Sequence, residues 1–244
     1  MKKIMIIAGI ILLSLNISLA QTQANQRIPL IGSEAPSFKA HSTNGQISFP
    51  QDFGSNWKII FSHPRDFTPV CSSEILELAY QQKEFKEMNT EIIIVSTDRL
   101  ESHQGWKAAL EDLSFKGRDP VKISFPLVED PNYSIANSFG MLDSKNNTGV
   151  SIRGVFFIDP ENKIRAFYFY PNEVGRNIDE IKRTLLALQT NYDNNRVVLP
   201  ANWQLGEDVM VPYLEPNEKD ASGNPDSAQG FYSVNWFMNY KQAE

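Results

Sequence analysis

The chain has 244 residues, 23 lysines and arginines against 29 aspartates and glutamates, a net charge of −6, and 41% apolar residues. That acidic balance argues against nucleic acid or anionic lipid as a partner, and the length and apolar content suffice for a buried core in one large domain or one domain with an appendage. A single cysteine excludes an internal disulfide, so its thiol is either inert and buried or reactive by design.

The N-terminus begins Met1-Lys2-Lys3, runs through an apolar stretch from Ile4 to Leu15, and reaches Ser18-Leu19-Ala20 before turning polar. A basic start, an apolar middle and small residues at a cut site predict a secretory signal over 1–20, removed after Ala20. The apolar run falls short of the ~20 residues that span a bilayer, so no stable membrane association is expected after cleavage.

Runs 57–61 and 91–96 are apolar and rich in β-branched residues, the pattern of strands buried on both faces. Between them Ile75, Leu78, Ala79 and Phe85 recur at helical spacing. The unit reads strand, loop, helix, strand, with Cys71 near the carboxyl end of the first strand, where open α/β sheets bind ligands. Trp106, Ala109, Leu110 and Leu113 predict a second helix. Asp130 and Pro131 predict the start of a third, ending at Gly140. Runs 155–158 and 164–170 flank the turn-rich 159–163 and predict a hairpin. Asn177 caps a last helix with Ile178, Ile181, Leu185 and Leu188 on one face. From about residue 191 the character changes, which predicts a main domain over 27–190 and a separate, irregular unit over 191–244. The stretch 231–240 is too aromatic for a solvated end and is expected to pack against this subunit or a neighbour.

Cys71 sits directly before the first helical run. A thiol in a first helical turn faces unpaired backbone N–H groups and the positive end of the helix dipole, a setting that favours negative charge on sulfur, and the thiolate is the nucleophile. Thr68, three residues earlier, is placed to reach back toward the sulfur. Pro64 and Pro69 restrict the loop between them. Glu74, one turn on, reads equally as a helix-start acid or as the anchor of an arginine. His63 reads equally as a pocket wall or a structural hydrogen bonder. His63, Cys71 and His103 match no metal-ligand spacing.

The string Phe61-Ser62-His63-Pro64-Arg65-Asp66-Phe67-Thr68-Pro69-Val70-Cys71 closely resembles the active loop of the one-cysteine peroxiredoxins. The resemblance runs from roughly residue 32 to 212 and takes in Pro171, Gly175-Arg176-Asn177 and the stretch 203–209. It implies a thioredoxin-like α/β fold with a C-terminal dimerisation extension, and a thiol peroxidase with Cys71 as nucleophile, Thr68 and Arg153 as its partners and Pro64 as a shield over the thiol. His63, Arg176 and Glu74 fall at the substrate pocket. It also implies a homodimer or a ring of dimers, and no metal, flavin or haem. Apart from the family name, peroxide reduction needs cations facing the departing oxygen, which Arg153 and Arg176 can supply, and yields a cysteine sulfenic acid. With no second cysteine, an external thiol must reduce that product. The leader adds the expectation of action outside the cytoplasm, in a bacterial periplasm or secreted.

Some one-cysteine members carry a lipase-like serine just before the tryptophan that is Trp57 here. That position is Asn56, so no phospholipase activity is expected. A general thiol-disulfide oxidoreductase is disfavoured by the missing Cys-x-x-Cys pair. A client-holding protein that keeps only the fold is favoured by the aromatic tail alone.

Overall fold

The two β-branched runs lie at the centre of a seven-stranded mixed sheet. The computed structural model describes residues 28–142 and 149–243; the expected signal over 1–20 lies outside them. The strands are β1 (Phe38–Ser42), β2 (Gly45–Phe49), β3 (Trp57–Ser62), β4 (Thr90–Ser96), β5 (Leu127–Glu129), β6 (Arg153–Ile158) and β7 (Ile164–Tyr170), in the order β2-β1-β5-β4-β3-β6-β7. β3, β4 and β5 run parallel. β6 returns antiparallel to β3 and forms the expected hairpin with β7.

Period-2 alternation divides each central strand between two cores. Trp57, Ile59 and Phe61 of β3, Ile92 and Ile94 of β4, and Val155 and Phe157 of β6 pack on one face. They meet α1 (Pro69–Glu87), α2 (Leu100–Glu111) and α4 (Ile178–Asp193), which contribute Ile75, Leu78, Trp106, Leu110, Ile181 and Leu185. Ile60, Ile93, Val95, Phe156 and Ile158 face the other way, toward Phe49 and the short helix α3 (Ser134–Ser138) with Phe139 beyond it. Each such side chain contributes about 1.5–3 kcal/mol by leaving water, which holds β3, β4 and β6 firmly at the base of the site. Lys58 shares their burial, and its ammonium donates to Asn162 Oδ1 at 2.8 Å, tying β3 to the β6–β7 turn.

Three elements differ from the sequence expectation. The second helix ends at Glu111, leaving Leu113 exposed beyond it. α3 begins at Ser134 rather than Asp130, because Tyr133 adopts a left-handed φ of 60° and breaks the first turn; Asp130 still caps it, accepting from Ile135 N at 3.1 Å and Ala136 N at 2.8 Å. The C-terminal region is not irregular throughout. It contains a three-stranded antiparallel sheet of β8 (Val209–Val211), β10 (Met238–Lys241) and β9 (Phe231–Asn235), with β10 in the middle. Phe231 buries against Val197 and Val211, and Tyr232 stacks on Tyr240 with ring centroids 5.1 Å apart. The aromatic tail thus packs through its strands, while Trp236 at the hairpin tip stays 87% exposed in the single chain.

Candidate active site

β3 ends at Ser62, residues 63–68 cross the carboxyl edge of the sheet, and α1 starts at Pro69 with Thr68 as its N-cap. Proline suits that first position, since its missing N–H would have no intrahelical partner. Cys71 is therefore the third helical residue, inside the helix rather than directly before it and in its first turn, and its side chain is fully buried.

A second segment arrives from the neighbouring strand. Arg153 opens β6, antiparallel to β3, and its Nη1 donates to Cys71 Sγ at 3.3 Å and to Glu74 Oε2 at 2.7 Å. Its other nitrogens, Nε and Nη2, both donate to the Asn172 carbonyl, at 3.1 and 2.9 Å. The guanidinium is thus tethered from behind by main chain and presents one edge to the sulfur.

The third segment is the turn between β7 and α4. Arg176 donates to Glu74 through its backbone N at 2.7 Å, Nε at 2.9 Å and Nη2 at 2.8 Å, and through Nη1 to the carbonyls of Ser62 and Gly154, both at 2.9 Å. Gly175 eases this approach, since a Cβ there would lie a tight 3.3 Å from Val70 Cγ1. Glu74 is one carboxylate shared by two buried guanidiniums. Burial alone would raise its carboxyl, but Arg176 first and Arg153 after it outweigh that and hold it below the usual carboxylate range. Of the two sequence readings of Glu74, the arginine anchor is the one the structure bears out; it stands past the first turn of α1.

Thr68 is half-buried and its hydroxyl donates to the Arg65 carbonyl at 2.9 Å, so its hydrogen closes a turn of the loop. Pro64 is buried at the start of that loop. His63 is buried too, and its Nε2 meets Asp66 Oδ1 at 2.8 Å, the structural hydrogen bond that the sequence left as one alternative. Its Nδ1 is buried without a partner. Burial pushes the His63 imidazole below its ordinary value, against the pull of Asp66.

Sequence reasoning missed Asp66 as a hub. Its Oδ2 takes Ser102 Oγ and His103 Nδ1, each at 2.8 Å. Burial would raise this carboxyl, but the hydrogen bonds from His103 and His63 prevail and hold it far below the usual carboxylate range. His63, Asp66 and His103 are the group among the described residues whose ligand atoms lie near enough to surround a metal ion. Separations of 2.8 Å that use both carboxylate oxygens are those of hydrogen bonds, and ligands sharing one ion at ~2.0–2.2 Å would have to stand further apart. Cys71 takes no part in this cluster. Ser62 is the other unforeseen member: its Oγ accepts from Gly154 N at 2.8 Å and donates to the Ile152 carbonyl at 2.5 Å, pinning β6 beside the site.

Comparison with known proteins places this geometry. Residues 31–167 match the model of the AhpC/TSA family, and 187–221 match the C-terminal domain of 1-Cys peroxiredoxin. A peroxiredoxin of Methanosarcina mazei is 44% identical over 216 residues, covering 88% of this chain and 98% of its own. Peroxiredoxin-6 of Bos taurus is 40% identical over 195 residues, 78% of this chain and 86% of its own. Among solved structures, a yeast mitochondrial 1-Cys peroxiredoxin superposes with a TM-score of 0.75 at 32% identity, covering 88% of this chain and all of that one. A cysteine-to-serine mutant of peroxiredoxin 6 from Arenicola marina gives 0.74 at 29% identity, covering 88% and 98%. The mixed sheet with its helices is the thioredoxin-like α/β fold of these neighbours, carrying a C-terminal extension with a small sheet.

Proposed function

The chain belongs to the AhpC/TSA family of peroxiredoxins, oxidoreductases that act as thiol peroxidases, and from that premise we propose that Cys71 is the nucleophile that reduces hydrogen peroxide and organic hydroperoxides. The observation that carries the reading is the 3.3 Å approach of Arg153 Nη1 to the sulfur of the chain's single, buried cysteine. Charge supports it. Arg153 and Arg176 bring two positive charges against the one negative charge of Glu74, and a thiolate at Cys71 makes those four side chains neutral together.

The thiolate attacks one peroxide oxygen, the O–O bond breaks, and the other oxygen takes a proton and leaves as water or alcohol. Sulfur is oxidised to a sulfenic acid as the peroxide is reduced. Arg153 steadies the charge as it passes from sulfur to the departing oxygen, and Glu74 holds both guanidiniums in register. Thr68, having given its hydrogen to Arg65, offers lone pairs and so accepts the peroxide O–H. Pro64 covers the thiol, while His63 and Arg176 line the pocket.

No second cysteine is available to capture the sulfenic acid. An external thiol therefore attacks that sulfur, forming a mixed disulfide and releasing the oxygen as water; a second thiol frees Cys71. The yeast relative is described as resolved through glutathione and thioredoxin systems, and a thiol of that class is the reductant proposed here. Residues 191–244 act as the dimerisation arm of a homodimer or a ring of dimers, for which exposed Leu205, Tyr213, Trp236 and Phe237 offer apolar surface. The basic, apolar leader at 1–20 supports export to a periplasm or beyond the cell.

The test is intact mass and rapid tryptophan fluorescence after one equivalent of hydrogen peroxide, beside Cys71→Ser. A fast gain of one oxygen atom, absent in the variant, is expected. A slow or absent gain in the natural sequence would make Cys71 structural.

A further inference from the structure

Arg153 stands at the centre of a three-residue turn, in which Gly154 N donates back to the Ile152 carbonyl at 3.1 Å. The same two main-chain groups are held by a side chain of the neighbouring strand. Ser62, at the end of β3, accepts from Gly154 N at 2.8 Å and donates to the Ile152 carbonyl at 2.5 Å through its Oγ. One hydroxyl thus closes over the backbone on both sides of the arginine. The β3–β6 ladder shows why it is needed there. Its last pair is Phe61 opposite Val155. One step further on, the serine side chain serves a donor and an acceptor that would otherwise want main-chain partners.

The rest of the turn is held with it. Ile152 N donates to the Met141 carbonyl at 2.8 Å. Gly154 fits so closely that a Cβ there would lie 3.1 Å from Met141 Sδ, Phe169 Cε1 and Ser62 Oγ. The carbonyls of Ser62 and Gly154 both accept from Arg176 Nη1 at 2.9 Å. Ser62 is fully buried and is joined to the settings of both arginines, yet the bonds of its hydroxyl go to main chain alone.

We infer that Ser62 is a positioning residue for the peroxide step: by clamping the turn at Arg153 it aims the guanidinium at Cys71. The inference rests on the reading of Cys71 as a peroxidatic thiol. The charge that Arg153 steadies moves from sulfur to the departing oxygen within one step, so a guanidinium displaced by a fraction of its reach serves that movement poorly. Removing the hydroxyl has a distinct signature. Gly154 N and the Ile152 carbonyl keep each other as partners, and the ladder from Lys58 to Phe61 is untouched, so the fold stands while the aim of Arg153 loosens.

The experiment compares Ser62→Ala, Arg153→Lys and the double variant. Stopped flow gives the rate of oxidation by hydrogen peroxide, and a separate assay gives the rate of Cys71 alkylation by iodoacetamide. Ser62→Ala is expected to slow the peroxide step about tenfold, the equivalent of one hydrogen bond, with cooperative urea unfolding retained. In the Arg153→Lys background the same change should cost less than about twofold, because there is no guanidinium left to aim. Alkylation should stay level or fall, whereas a merely structural loosening would uncover the buried sulfur and speed it. An unchanged peroxide rate in Ser62→Ala, equal losses in the two backgrounds, faster alkylation, or a variant that does not fold would each overturn the inference. Absence of any oxygen gain in the natural sequence would instead sink the peroxidatic reading itself.

Discussion

Replacing Glu74 by glutamine keeps the shape of the side chain and removes the one negative charge that two buried guanidiniums share. The natural carboxylate accepts four hydrogen bonds, one from Arg153 and three from Arg176. The amide offers one oxygen and turns an NH2 donor toward a cation. Removing one partner of a buried ion pair costs about 3–5 kcal/mol, which in a domain of this size lowers the melting temperature by roughly 10 °C. Arg153 retains both bonds to the Asn172 carbonyl, so its guanidinium stays near the sulfur, and the peroxide rate should fall by no more than about a hundredfold. Urea unfolding followed by tryptophan fluorescence, on Glu74→Gln, Arg176→Met and the double variant, gives the coupling between the two positions. The second change should cost far less once the first is made. A loss below about 1 kcal/mol for Glu74→Gln, or simple additivity in the double variant, would refute the shared-carboxylate account.

Arg153→Lys supplies one ammonium where the guanidinium reaches Asn172, Glu74 and Cys71 at once, so the peroxide step should slow by roughly 10²–10³-fold with the fold intact; an unchanged rate in a pre-steady-state assay would remove Arg153 from the reaction. Acid should act through Glu74 and Asp66. Both carboxyls lie below their ordinary values in the folded chain, so the stability they contribute is fully present above the ordinary carboxylate range and is lost as pH falls through their lowered values. Unfolding free energy measured from pH 7 downward should therefore decline below about pH 4.5, and more shallowly in Glu74→Gln; parallel curves would contradict the assignment.

The central strands were legible because both faces of β3 and β4 are buried, which leaves short runs rich in β-branched and aromatic residues. The hairpin of β6 and β7 and the Asn177 cap were legible for local reasons: a turn-rich link in one case, and in the other an asparagine whose side chain accepts from Glu180 N. Strand β5 has three residues, too few for any period to register. At the site, the loop string announced Cys71, and Arg153 stood out by resemblance. The two readings of Glu74 could not be separated, since the deciding partner, Arg176, is 102 residues away. Asn172 had no signature because it acts through its main-chain carbonyl, which every residue possesses. Asp66 lay within the quoted string, yet its bond to His103 spans 37 residues that no pattern connects.

The separation of the parts has a consequence for when the chemistry begins. Cys71 and Arg153 are 82 positions apart, and the carboxylate that steadies Arg153 waits on a residue still further along. A ribosome that has released the thiol has not yet made the groups that would arm it. On the proposed reading of Cys71, the sulfur should stay an ordinary cysteine, sluggish toward peroxide, until the strand and turn that follow are in place. Peroxide consumption per thiol would accordingly count finished molecules, an assay of correct folding that needs no label.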